Sequence, residues 1–386
     1  MSTNQRENER MERKLAKKRK RQKIAWIAII LVIIALLVMK LCEIDFSSIG
    51  DKSDSPVSVT GEETFPFELE SGEDFGFGVF SDNIYALNAD AFTVIGEADG
   101  RELLSVEHGY ANPIVETSGS YCVLYDQGTG AYMLCSKKNQ IYENKSDNSI
   151  LCADVSDSGS VLLCTTSDTA RCVIKLYNKS LDEKFSYDIA DGFVTCVAVD
   201  GRGSRIAFAV VSSENARFKT TVYTMNTDDD APRAQFVYNS SVLDLEFKST
   251  DLYIVGTDFV STVSSLKNET KVFEEESVST VSHSFNPSGS LVYAYTDYDG
   301  AAETSLVCVK PSGNVTEITV VSGRVKDITA SSSRLSALTD NGIISYKISS
   351  GEQLQAFEVD DSYTSIQQMS SKIFAKHGTK VELIQE

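Results

Sequence analysis

The phrase NPSGSLVYAYTDYDG at 286–300 reads as a turn, a strand and a second turn, and the chain keeps rewriting it. VDGRGSRIAFAV at 199–210, VSDSGSVLLCTTSD at 155–168 and ETSGSYCVLYDQGTG at 116–130 follow the same plan. Aligned at the residue that opens the central strand, the phrase starts at Asn83, Tyr121, Val161, Arg205, Asp251, Leu291, Arg334 and Lys372. The spacings are 38, 40, 44, 46, 40, 43 and 38 residues. From residue 65 onward, short runs of Val, Ile, Tyr, Phe and Thr alternate with Ser, Gly, Asp and Asn, and helical periodicity is all but missing. A period near 41 residues with four strands per period predicts an all-β, eight-bladed β-propeller over 64–386. The Gly-Ser or Ser-Ser before six of the eight openings makes the turn from first to second strand. The Asp-rich end makes the next hairpin.

One unit can be read in full over 278–321: VSTVSHSF innermost, then LVYAYTD, TSLVCVK and VTEITVV outermost. The first two strands are expected to be the most apolar, because neighbouring blades sandwich them. The last unit stops one strand short at Glu386, while FPFELE (65–70) stands spare before the first. The expectation is closure by splicing, with 65–70 as the outer strand of the final blade. A ring closed this way leaves no free sheet edge. Seven blades is the alternative, because the unit at 73–110 is the least regular.

Ahead of the repeats the charge is divided. The chain carries −19 overall, yet residues 1–23 hold ten Lys/Arg against three Glu, leaving −26 for the remainder. Between the two lies IAWIAIILVIIALLVM (24–39), extended through Lys40 to Leu41 and Cys42. Nineteen helical residues rise about 28 Å, close to a bilayer core. Lys40 can snorkel its ammonium, and Trp26, the single Trp, suits the other interface. The segment Ile24–Cys42 is therefore expected to span a membrane. The basic tail 1–23 stays cytoplasmic by the positive-inside rule, and the propeller lies extracytoplasmic on the far side of the plasma membrane. The apolar run is longer than a signal-peptide core and lacks a small-x-small site. Met39-Lys40-Leu41 before Cys42 does not suit lipidation, and the basic flank argues against a buried core helix. The tail is read as lying on anionic lipid and setting orientation, with no nucleic acid as partner. The stretch 43–63 is polar and rich in Ser and Asp, a flexible linker.

These features together carry a resemblance. Residues 65–386 look like bacterial propellers related to the WD40 and YVTN-repeat groups. The layout of basic tail, span and propeller is similar to single-pass membrane-anchored propellers of Gram-positive anaerobic bacteria. The Trp-Asp and Gly-His pairs of WD40 blades are missing, so WD40 partner rules do not transfer.

No catalytic, cofactor-binding or metal-binding residue is nominated by motif. His108, His283 and His377 fall in three different units without a Cys or acidic neighbour at metal spacing. His283 is the best functional candidate, because an innermost strand lines the central channel. There is no Gly-x-Ser-x-Gly elbow, no P-loop and no dinucleotide fingerprint. Asp297-x-Asp299-Gly300 with Glu303 faintly resembles a calcium loop but reads as a solvated turn, as do Asp228–Asp230 and Glu274–Glu276. Of the seven Cys after Cys42, Cys122 and Cys135 form the one attractive pair, facing each other across a turn at Gly128-Thr129. The favoured reading is nonetheless small apolar strand residues. Cys152 and Cys196, on successive inner strands, read as core packing. The sequence thus points to a non-enzymatic binding or scaffold module at the cell envelope, with an envelope protein or glycan as partner and no cofactor. A surface hydrolase or lyase, or a transmembrane sensor, are the alternatives.

Overall fold

The computed structural model describes residues 65–69, 75–214 and 217–385. The expected tail, span and linker lie outside the described residues. Among the described ones no helix is long and apolar enough to cross a membrane. Thirty-two strands form eight four-stranded antiparallel sheets. All eight second strands begin at the residues the repeat predicts: Asn83, Tyr121, Val161, Arg205, Asp251, Leu291, Arg334 and Lys372. Blade 1 starts at Gly76 and blade 8 at Tyr363.

The repeated phrase is a turn, and its chemistry explains why it recurs. Ser156, Asp200 and Asn286 each accept the backbone N–H four residues on through a side-chain oxygen, at 2.9, 2.6 and 2.9 Å. In each turn a glycine sits at positive φ, +80° at Gly159, +70° at Gly203 and +81° at Gly289, where a Cβ would be strained. The shorter turns of blades 1, 2, 5 and 8 put Ser81, Gly119, Ser249 and Ser370 in the same region, and blade 7 closes its turn with Ser331 N donating to the Arg334 carbonyl at 2.9 Å. The phrase is structural in every blade.

The core is not one mass but eight apolar slabs, each shared by two neighbouring blades. Blades 3 and 4 bury Leu162, Ile174, Ile206 and Phe208 between them. Blades 6 and 7 bury Val292, Leu306, Ile328 and Leu335. Blades 8 and 1 bury Phe374, Val381, Ile84 and Ile95, with Phe65 and Phe67 packed on the slab. Every fully buried Leu, Ile or Phe adds roughly 1.5–3 kcal/mol, so the ring rather than the single blade is the stable unit. Closure is the predicted splice: Phe67 pairs Val381 and Glu68 pairs Lys380 in the final sheet. Inside that seam the Lys376 ammonium donates to the Phe75 carbonyl at 2.5 Å and lies 4.6 Å from the Phe75 ring.

One expectation needs correcting. The second strands are the most buried, as in Tyr121–Asp126, where every residue is buried. The inner strands are not equally dry: every residue of Ser279–Phe285 is only partly buried. The cause is geometric. An inner strand is paired on one side only, and its other edge borders the central channel instead of a packed neighbour.

Candidate functional site

Six of the eight inner strands carry a register shift at one equivalent place, around residues 151, 195, 243, 281, 326 and 364. A bulge bends the strand and re-aims the side chains that follow. The residues one and three positions later include Asp244, Asp327, Asp154 and Glu246. Blades 1 and 2 pair without a shift, and Glu116 stands on the unshifted inner strand of blade 2.

Part of this set serves the ring itself. An inner strand leaves N–H groups unpaired along its channel edge, and the neighbouring blade supplies acceptors. Asp327 takes four donors from three blades: Ser282 Oγ at 3.2 Å, Ile328 N at 2.8 Å, Ser365 Oγ at 2.7 Å and Ile366 N at 3.0 Å. Thr329 accepts Gln368 N at 3.0 Å, one step along the same strands. Asp154 accepts Val155 N and Val199 N, both at 2.7 Å.

The other part faces the channel. Glu116 accepts no hydrogen bond from any described residue, and its pKa is pushed up to about 8 by desolvation first, then by Asp244 and Glu246. Those two carboxylates belong to blade 5, three blades away, so their field reaches Glu116 across the lumen. The Glu116 side chain is exposed to the channel, so solvent tempers a shift that rests on the surrounding protein and on the like charges of blade 5. Burial, with Glu246 and Glu116, raises Asp154 well above the carboxylate range. Burial raises Glu246 too, against the pull of Lys248 and with Asp244 adding to it. Cys196, also on this wall, is pushed up to about 12 by burial and Asp244, an inert thiol. Two basic side chains lie against the acids. Lys248 Nζ meets Glu246 Oε1 at 2.5 Å, and His283 Nε2 meets Asp244 Oδ2 at 2.9 Å across blades 5 and 6. The lumen opens into a cleft of about 410 Å³ at the mouth carrying the first-to-second-strand turns. Asp154, Asp157, Arg202, Arg205, Glu246 and Lys248 line it.

Of the residues singled out by sequence, His283 and Cys196 join this constellation. His108 braces a connection, with Nε2 3.1 Å from the Asn88 carbonyl and Nδ1 accepting Tyr110 N at 3.0 Å. His377 stacks on Tyr363 at 4.9 Å in the last blade. Asp297, Asp299 and Glu303 lie at one hairpin, closed by Ala301 N donating to the Tyr298 carbonyl. Among the described residues no three His, Cys, Asp or Glu are placed to hold a metal ion. Cys122 and Cys135 do sit opposite each other, as free and wholly buried thiols. Cys152 lies with Cys164 and Cys172 in the slab between blades 3 and 4. Sequence reasoning passed over Glu116, Asp154, Asp244, Glu246 and Asp327. The signal was present: each is a charge on a strand expected to be apolar.

The comparisons agree with this architecture. A family model described as a family of unknown function, DUF5711, matches residues 59–385, and the chain belongs to that family. No curated protein matches the chain. Among solved structures it is similar to Sqt1 of Saccharomyces cerevisiae, at 9% identity and TM-score 0.58, covering 85% of this chain and 100% of that one. It is also similar to the C-terminal WD40 domain of Sif2, at 13% identity and TM-score 0.54, covering 84% and 99%. BamB from Moraxella catarrhalis aligns at 10% identity and TM-score 0.49, covering 84% and 99%. At such identities the likeness is one of fold.

Proposed function

We propose that this member of the family is a binding or scaffold module held on the plasma membrane through Ile24–Cys42, with tail 1–23 cytoplasmic and the propeller extracytoplasmic. The ligand-binding reading rests on one observation: Glu116, Asp154, Asp244 and Glu246 converge from blades 2, 3 and 5 on a single lumen. Glu116, Asp154 and Glu246, raised by burial and by neighbouring acids, suit a cationic ligand, an organic amine entering through the turn-side cleft, whose charge relieves that mutual repulsion. An ammonium beside Glu116 favours the ionised carboxyl, so binding releases a proton and strengthens as pH rises through about 8. The test is calorimetry of the full-length chain with spermine as probe, in buffers of different ionisation heat. Binding with proton release, weakened about tenfold in Glu116→Gln, is expected. No binding, or binding indifferent to that substitution, overturns the ligand reading. The membrane placement is supported by the charge-flanked apolar run. Its test is labelling by an impermeant maleimide: Ser350→Cys should react in intact cells, and Ser2→Cys only after lysis. The reverse pattern overturns it.

A second reading is favoured by the state of Glu116. With a pKa of about 8 its carboxyl keeps its proton at neutral pH, the condition for a general acid, and His283 paired with Asp244 stands on the same lumen wall. This would be a surface hydrolase or lyase. Turnover of chromogenic esters or glycosides that disappears in Glu116→Gln supports it. No turnover, or turnover equal in the variant, removes it.

A further inference from the structure

The two faces of the ring differ in charge. Connections between first and second strands, and between third and fourth, carry ten Asp/Glu and eight Lys/Arg among the described residues. Connections between second and third strands, and from each blade to the next, carry fourteen Asp/Glu against Arg171 and Arg324 alone among the described residues. Glu274–Glu276, Asp297 with Asp299, and Glu358 with Asp360 and Asp361 are the densest groups on this acidic face.

On the same face blade 4 stands out of register with the ring. Its second and third strands, Arg205–Glu214 and Arg217–Asn226, run ten residues each, where their counterparts run five to seven. The inner strand pairs the second only as far as Val211, opposite Phe193. The outer strand pairs the third only as far as Thr220, opposite Tyr238. The hairpin therefore rises past the face as a two-stranded arm, and among the described residues no strand lies beside Ser212–Ser213 on the channel side. Natural sheets rarely leave such an edge bare. At its foot Phe193, opposite Val211, is 59% exposed; Leu243, on the inner strand of the next blade, is 49% exposed and Phe218 on the arm is 44% exposed. The Phe193 ring already takes a cation on its face, the Arg171 guanidinium at 4.9 Å.

We infer that the arm of blade 4 receives an extended segment of a partner protein, added as a strand beside Ser212–Ser213, in which Lys or Arg alternates with apolar residues. The unpaired edge supplies backbone hydrogen bonding, which calls for an extended chain. Alternation follows from strand geometry: one row of side chains is available to Phe193 and Leu243, the other to the acidic connections. This rests on the reading of the chain as a binding module but uses a different surface from the lumen.

The test is fluorescence anisotropy of the full-length chain in detergent with labelled octapeptides. The probes alternate Lys with Val, alternate Glu with Val, carry Pro in place of two Val, or are all Lys. The Lys–Val peptide should bind, and the other three should bind at least about tenfold more weakly. Ser213→Pro, which denies the edge, should lose about tenfold. Phe193→Ser with Leu243→Ser, both exposed and harmless to folding, should lose a similar factor. Equal binding of all-Lys and Lys–Val peptides, or Lys–Val binding unchanged in the double variant, overturns the inference. If the peptide fails while Glu116-dependent spermine binding persists, only the arm proposal falls. If spermine binding also fails, the ligand reading falls with it.

Discussion

Asp327 and Glu116 both stand on inner strands of the same ring, and they live in opposite circumstances. Asp327, on blade 7, is tied by four donors from three blades. Burial raises its pKa, and each donor works to lower it again. Glu116, on blade 2, has no donor among the described residues and faces the carboxylates of blade 5. The blade 6–8 wall uses its acid to join blades. The blade 2–5 wall holds acids that repel one another. A carboxylate whose lone pairs are taken up by N–H and O–H groups is part of the framework. One kept among like charges costs stability and is poised to meet a ligand or a proton.

The largest expected effect falls on the framework side. Asp327→Ala leaves two strand-edge N–H groups without an acceptor and should lower unfolding free energy by roughly 2–4 kcal/mol, read from denaturant midpoints. Asp327→Asn keeps one acceptor oxygen and should lose less. An alanine variant as stable as wild type would erase the contrast.

The next effect is a slope. Glu116 has a folded pKa of about 8, above its unfolded value near 4.5. Its favourable contribution is complete below about pH 4.5, where both states bind the proton. It is lost progressively as pH rises through about 8, because the unfolded chain ionises first. Melting temperature should therefore fall between pH 5 and 8, and Glu116→Gln should flatten that fall while leaving stability at pH 7 equal or higher. Asp154 and Glu246 are raised too, so some slope remains in the variant. A wild-type melting temperature that rises over this range contradicts the account.

The smallest effect belongs to His283. His283→Ala releases Asp244 from its 2.9 Å contact, with both side chains partly exposed, so stability should change by less than about 1 kcal/mol. Spermine affinity should rise a few-fold as Asp244, freed from the imidazole, becomes available to an ammonium. Weaker spermine binding would mean that the imidazole touches the ligand.

The two walls also differ in how far they could be read from the chain. Strand starts such as Arg205 and Leu291 were legible because a turn with an acceptor residue and a Gly-Ser pair is a local device, complete within five residues. Closure through Phe67 was legible because four strands per blade left one strand spare and one place short. The opposition of Cys122 and Cys135 was legible from turn register. Glu116 was not, because its meaning depends on Asp244 and Glu246, and 128 residues separate Glu116 from Asp244 in the chain. Asp327 was not, because three of its four donors belong to other blades or to a strand bent by a bulge that no residue type announces.

By itself the sequence determined the period, the four strands within it, the turns between them and the spare strand that closes the ring. All of these rest on interactions spanning a few residues or on counting. It also fixed the total of −26 beyond the tail, but not where that charge sits. Only the tertiary structure decided that alternate connections rise on one face, concentrating fourteen acids of the described residues there. It also decided that eight inner strands stand around one lumen and bring distant carboxylates within each other's field. Charge interactions act through space rather than along the chain, so they acquire meaning only once the ring is closed.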